Sequence, residues 1–226
     1  MSLAQRYQKV MTRINDACEE RRQFEHPVTL LAVSKTHKIN KIRELYELGQ
    51  RDFGENYAQE AIEKIDELSD LHINWHYIGP IQSNKTAGIA SHFHWVQTVD
   101  RLKIARRLND QRPHNQPLLN VCIQVNISGE ENKSGVAPSE VANLANEIAG
   151  FEHLKLRGLM CIPEATDDQE RLALQLRTMR ELYEKLKDQY SFDTLSMGMS
   201  GDLALAIAEG STMVRIGTDI FGPRNS

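Results

Sequence analysis

The chain has 226 residues, a net charge of −4, 40% hydrophobic and 26% charged residues, an ordinary globular composition whose slight acidity argues against a dedicated nucleic-acid binder. Cys18, Cys122 and Cys161 are far apart and odd in number, so neither a disulfide framework nor a Cys-x-x-Cys metal site is readable. No apolar run reaches the ~18 residues of a membrane span, and Met1–Arg6 lacks a signal-peptide core, so a cytoplasmic setting is expected.

Short apolar runs alternate with helical patterns along the chain. Leu3, Tyr7, Val10, Ile14 and Ala17 share one helix face. Val28–Val33 is a strand buried on both faces, and Ile42, Leu45 and Tyr46 mark a helix ended by Gly49. A weak strand at Arg51–Gly54 precedes a helix carrying Ala58, Ala61, Ile62, Ile65 and Leu68. Trp75–Gly79 is a strand, followed by a weakly patterned helix around Lys85–Ala90. Trp95–Val99 is a strand, and Asp100 is expected to cap a helix with Leu102, Ala105 and Leu108. Asn120–Ile127 is the strongest strand, and its helix starts near Pro138, carries Val141, Leu144, Ala145 and Ile148, and ends at Gly150. Leu156–Ile162 precedes a long helix with Leu172, Leu176, Met179, Tyr183 and Leu186. Thr194–Met199 and Met213–Ile216 are the last strands, with helical Leu203–Ala208 between them.

Eight strands, each but the last followed by a helix, predict parallel βαβ units and a closed (β/α)8 TIM barrel with an extra N-terminal helix. An open doubly wound sheet is the alternative. A single domain, residues 1–226, is expected.

A barrel carries its chemistry at the C-terminal ends of its strands. Here those ends are polar and glycine-rich: Ser34-Lys35-Thr36, Glu55-Asn56, Gly79–Lys85, Asn126-Ile127-Ser128, Gly198–Asp202 and Arg215–Asp219. The loops after strands seven and eight are the usual phosphate site of a barrel. Glycine lets backbone N–H groups approach an anion, and Ser200 and Thr218 add hydroxyls. The plainer alternative is that the glycines make tight turns and Ser200 caps a helix. Lys35, emerging from an apolar strand, is a candidate nucleophile toward an aldehyde if desolvated, or else a snorkelling lysine. Arg215, inside the last strand, must face something polar. His76 reads equally as a satisfied core histidine, and His92 with His94 makes a poor zinc site. Cys122 and Cys161 read as small core residues. Glu130–Lys133 reads as a solvated loop from which Lys133 could reach the mouth, and Lys103, Arg106 and Arg107 as a solvated helix face.

Several strings are more specific. Leu31–Thr36, Asp52–Asn56, His76–Gly79 with Gln82–Lys85, Gln124–Asn126 with Lys133–Gly135, Arg157–Met160, Leu195–Ser200 and Gly210–Gly217 closely resemble the YggS/PROSC-type pyridoxal-phosphate homeostasis proteins. The resemblance runs from about residue 28 to the C-terminus and implies a barrel like the N-terminal domain of alanine racemase.

It also implies roles. Lys35 is similar to the lysine that holds pyridoxal 5′-phosphate (PLP) as a Schiff base, and Ser200, Gly217 and Thr218 to the phosphate cradle. Arg215 is similar to the residue paired with the pyridine nitrogen, and Asn56, His76, Asn126 and Met199 to positions lining the mouth. One departure is Asp219, where the family usually has a small residue; an acid there repels a phosphate unless its side chain points away. The implied function is a PLP carrier in vitamin B6 homeostasis, with apo PLP-dependent enzymes as recipients and a monomeric state. A racemase or decarboxylase of low activity is the alternative, and a barrel for another sugar phosphate is a third. Against turnover, the sequence leaves four residues after Gly222, so no second, β-rich domain with a catalytic base is expected. Arg157–Cys161 also offers no imidazole where the racemase has one.

Overall fold

A computed structural model describes residues 1–21, 26–130 and 133–223. The strands are β1 (Thr29–Val33), β2 (Asp52–Glu55), β3 (Asn74–Tyr77), β4 (Trp95–Val99), β5 (Leu119–Val125), β6 (Leu154–Cys161), β7 (Thr194–Ser196) and β8 (Met213–Ile216). They close into one parallel barrel in sequence order, with β8 beside β1. The helices are α1 (Leu3–Glu20), α2 (Ile39–Glu47), α3 (Ala58–Glu67), α4 (Thr86–His92), α5 (Leu102–Gln111), α6 (Val141–Ala149), α7 (Gln169–Tyr190), α8 (Leu203–Ala208) and α9 (Thr218–Phe221). The (β/α)8 barrel with an extra N-terminal helix is thus the observed fold, and the doubly wound alternative falls.

Alternation along β1 sorts its residues. Leu30 and Ala32 join the apolar layer under the helices, whereas Thr29 lines the bottom of the barrel and Val33 and Lys35 its mouth. The N-terminal helix starts on a capping box, Ser2 with Gln5, and packs Leu3, Val10, Ile14 and Ala17 against α2, α8 and α9. That places α1 beside the last two strand–helix turns.

Some details differ from the sequence reading. Asp100 does not cap α5; Arg101 holds the N-cap position without a side-chain cap, and Asp100 pairs with Arg101 instead (2.7 Å). The last strand is also followed by a helix, the single turn α9. β7 ends at Ser196, because Gly198 takes φ +99°, a left-handed conformation that ends the extended run. Of the expected solvated loop Glu130–Lys133, residues 131 and 132 lie outside those described.

Candidate functional site

The loop after β1 sets the position of Lys35. Thr36 has φ +65°, uncommon for a β-branched residue, and the turn is pinned from both sides. The Thr36 N–H donates to Glu60 Oε1 (2.7 Å), and the Ser34 hydroxyl donates to Glu55 Oε1 (2.6 Å). Lys64 of α3 joins them: its ammonium donates to Glu60 Oε1 (2.6 Å), Glu55 Oε1 (2.8 Å) and the Ser34 carbonyl (3.0 Å). Burial pushes the Glu55 carboxyl up, and the Lys64 cation pulls it back. The two residues flanking Lys35 are therefore held by one cluster in which the Lys64 ammonium bridges two carboxylates. Sequence reasoning missed Lys64 and Glu60; their i, i+4 spacing is a visible signal, but nothing in it shows that the pair faces the barrel.

Lys35 opens into a cavity of about 290 Å³ at the C-terminal mouth. Asn56, Met199, Ser200, Arg215, Gly217 and Thr218 line the same cavity. The candidates from four strand ends, those of β1, β2, β7 and β8, are thus brought together. Ser200 does not cap α8, whose N-cap position is Asp202; Asp202 Oδ1 instead accepts from the Met199 N–H (2.6 Å). Asn56 is placed by a close approach of two loops: a Cβ on Gly79 would lie 2.0 Å from the Asn56 carbonyl oxygen. Asn56 Oδ1 is buried without a hydrogen-bond partner among the described residues.

Arg215 is 5% exposed. Its Nη1 donates to Ser196 Oγ (2.8 Å) and its Nη2 to the Cys161 carbonyl (2.7 Å). Burial lowers its pKa from the usual guanidinium value, but that value is so high that the group stays cationic at neutral pH. Asp219 points away from the mouth, toward Arg13 of α1 (2.7 Å).

Two candidates behave differently. Asn126 lines an adjoining cavity of about 350 Å³, together with Lys133, but spends its side chain on its own loop. Its Nδ2 donates to the Glu130 carbonyl (2.8 Å) and its Oδ1 accepts from the Gly129 N–H (3.2 Å). His76 is not at the mouth. It is fully buried, stacked on Trp95, with Nε2 at 3.0 Å from Asp52 Oδ1 and Nδ1 at 3.0 Å from Gln97 Nε2. The pleat turns its side chain inward below Ile78, which is the residue of that strand end that reaches the cavity. Cys122 and Cys161 are buried, and burial pushes both thiols up to about 12. His92 and His94 serve local bonds, to the Gly88 carbonyl and from the Trp75 N–H.

The family model "Alanine racemase, N-terminal domain" matches residues 12–225. The pyridoxal phosphate homeostasis protein of Haemophilus influenzae is 51% identical over 100% of this chain and 97% of its own. This chain belongs to the pyridoxal phosphate homeostasis protein family. The family member of Escherichia coli K12 is 48% identical over 99% of this chain and 97% of its own. Among solved structures, PipY of Synechococcus elongatus with PLP bound has a TM-score of 0.84 at 33% identity, covering 98% of this chain and all of PipY. Alanine racemase of Clostridium difficile shares the fold, with a TM-score of 0.72 at 15% identity over 96% of this chain and 56% of the racemase.

Proposed function

We propose that this protein binds PLP at the barrel mouth, through Lys35, and carries it in vitamin B6 homeostasis without turnover of its own. The carrying observation is the convergence of Lys35, Arg215 and the Ser200-Gly201 and Gly217-Thr218 turns on one cavity. Full-length relatives named for PLP homeostasis and the PLP-bound PipY structure support the reading. A cytoplasmic setting, a monomer and transfer to apo PLP-dependent enzymes belong to the same proposal.

The residues fit the group. The Lys35 amine suits an aldehyde, and the two Gly-hydroxyl turns suit a phosphate. Asn56 lines the cavity and its buried Oδ1 has no partner among the described residues, which suits a polar ring substituent. When bound, PLP supplies an aldehyde for covalent capture by an amine and a ring that withdraws electrons.

The chain's own groups then decide how much of that chemistry is used. Lys35 Nζ would hold the aldehyde carbon. Ser200 and Thr218 would orient the phosphate. Arg215 would donate to the ring nitrogen, and as a cation it keeps a proton off that atom, so the ring withdraws electrons weakly. Among the described residues, the titratable side chains lining this cavity are Lys35 and Arg215. Proton transfer on both faces of a substrate needs two positioned acid–base groups, and this composition favours holding the ligand over transforming it.

The test is borohydride reduction of the PLP-loaded protein followed by peptide mass analysis. The added mass is expected on the Lys35 peptide, and the loaded protein is expected to show an absorbance band of lysine-bound PLP; Lys35→Ala is expected to lose both. An unchanged band in Lys35→Ala overturns the site. Conversion of L-amino acids to D-isomers or CO2 at many turnovers overturns the carrier reading in favour of an enzyme.

A further inference from the structure

We infer that Arg215 is oriented by a one-way chain of hydrogen bonds that crosses the barrel interior and ends on Asp52 at the opposite face, with Ser196, Gln97 and His76 as positioning residues. The inference rests on the reading of Arg215 as the ring-nitrogen partner of PLP.

The links are short and buried. Arg215 Nη1 donates to Ser196 Oγ (2.8 Å). Ser196 Oγ donates to Gln97 Oε1 (2.6 Å). Gln97 Nε2 lies 3.0 Å from His76 Nδ1 and 3.1 Å from Met213 Sδ. His76 Nε2 lies 3.0 Å from Asp52 Oδ1. Ser196, Gln97 and His76 are each 0% exposed.

With His76 neutral and the Met213 sulfur an acceptor beside the Gln97 amide, one direction satisfies every link. A guanidinium has donors and no acceptor, so Ser196 Oγ must accept from it. The single Ser196 hydroxyl proton then goes to Gln97 Oε1. That fixes the Gln97 amide, whose N–H groups face His76 Nδ1 and the Met213 sulfur. His76 Nδ1 must therefore be the acceptor, which leaves the proton on Nε2, facing the Asp52 carboxylate. Every donor points away from Arg215, and the chain runs from a cation to an acid. Burial holds His76 below the ordinary imidazole value, in keeping with this neutral tautomer.

The consequence is geometric. A buried donor or acceptor left unpaired is costly, so each link restricts the next. The Ser196 lone pair is held toward Nη1, and the Cys161 carbonyl fixes Nη2. The guanidinium plane at the mouth is thus set by side chains that do not line it. The far end is not sealed. Asp52, half-buried, lines a bottom cleft of about 430 Å³ with Asn74, Trp95, Arg157 and Asp193.

The test uses the full chain, PLP titrations followed by absorbance, and the 15N resonance of ring-labelled PLP on the protein. Gln97→Met removes the amide's bonds to Ser196, His76 and Met213. It is expected to weaken PLP about tenfold and to shift the ring-nitrogen resonance, with Lys35 still trapped by borohydride. Asp52→Ala, at the open end, is expected to move both readouts in the same direction by less. Asn74→Ala, in the same cleft but off the chain, is expected to move neither. Wild-type affinity and resonance in Gln97→Met overturn the inference. Should that variant fail to fold, the same two readouts unchanged in Asp52→Ala overturn it. An equal effect in Asn74→Ala assigns the change to the cleft and overturns it as well. Wild-type protein that takes no PLP overturns the cofactor reading and this inference together, whereas wild-type trapping with unmoved variants overturns this inference alone.

Discussion

Arg13 Nη1 lies 2.7 Å from Asp219 Oδ2, and Arg13 Nη2 donates to the Ser200 carbonyl at 2.7 Å. One side chain of the N-terminal helix thus ties the turn after β7 to the turn after β8. It also answers the acid at position 219: the carboxylate faces a guanidinium on the outside of the barrel and not the ligand. Arg13→Ala is expected to weaken PLP a few-fold, because a partly exposed pair of this kind contributes only about 0.2–1 kcal/mol. Adding Asp219→Ala is expected to recover most of the loss. Titrations of the single and double variants at low and high salt check this, and the single-variant effect should shrink with salt.

Lys64 is the centre of the cluster beside Lys35, and it is 7% exposed. Lys64→Met leaves Glu55 buried without its cation. Breaking a buried pair in this way costs about 3–5 kcal/mol. A lower urea midpoint is expected, with weaker PLP binding in the fraction that folds, since the Thr36 turn loses part of its support. Denaturant unfolding with and without PLP measures the two effects.

Gly79→Ala tests the approach that seats Asn56. The new Cβ would fall 2.0 Å from a backbone oxygen, so the β2 or β3 loop must move. Overpacking costs about 1–3 kcal/mol, and here the neighbour is backbone and cannot rotate away. Lower thermal stability and weaker PLP binding are both expected, by calorimetry and titration.

Burial pushes His76 and His94 below the ordinary imidazole value of 6.5. His94 Nδ1 also accepts from the Trp75 N–H (3.1 Å), a bond that protonation removes. A depressed imidazole favours folding above its ordinary value, and that contribution is lost as pH falls from 6.5 toward the folded-state value. Urea unfolding between about pH 7.5 and about pH 5.5 is therefore expected to show stability declining on acidification. His76→Gln is expected to flatten part of that slope.

The alternation of elements was legible because strands buried on both faces read as apolar runs and helices keep a 3.6-residue period. Even the weak stretch around Asp52–Phe53 proved to be β2, since its neighbours in the alternation required it. The residues at the mouth were legible because a barrel puts every strand's C-terminal end on one face. His76 was misplaced for a related reason. Strand membership was readable, but one step along a strand reverses the side chain and two steps change its layer. The Asp100 cap failed because a residue type that favours capping does not fix the backbone at that position.

Sequence alone determined the family, the parallel alternation of strands and helices and the set of polar strand ends, because these depend on local pattern and on strings of adjacent residues. Tertiary structure alone decided what the side chains far apart in the chain do to one another. Lys64 reaches across from α3 to hold the loop after β1, and Arg13 reaches from α1 to turn Asp219 aside. The Ser196–Gln97–His76–Asp52 bonds join four different strands. Hydrogen bonds and ion pairs act over a few ångströms in space, and no spacing along a sequence records which strands barrel closure brings within that reach.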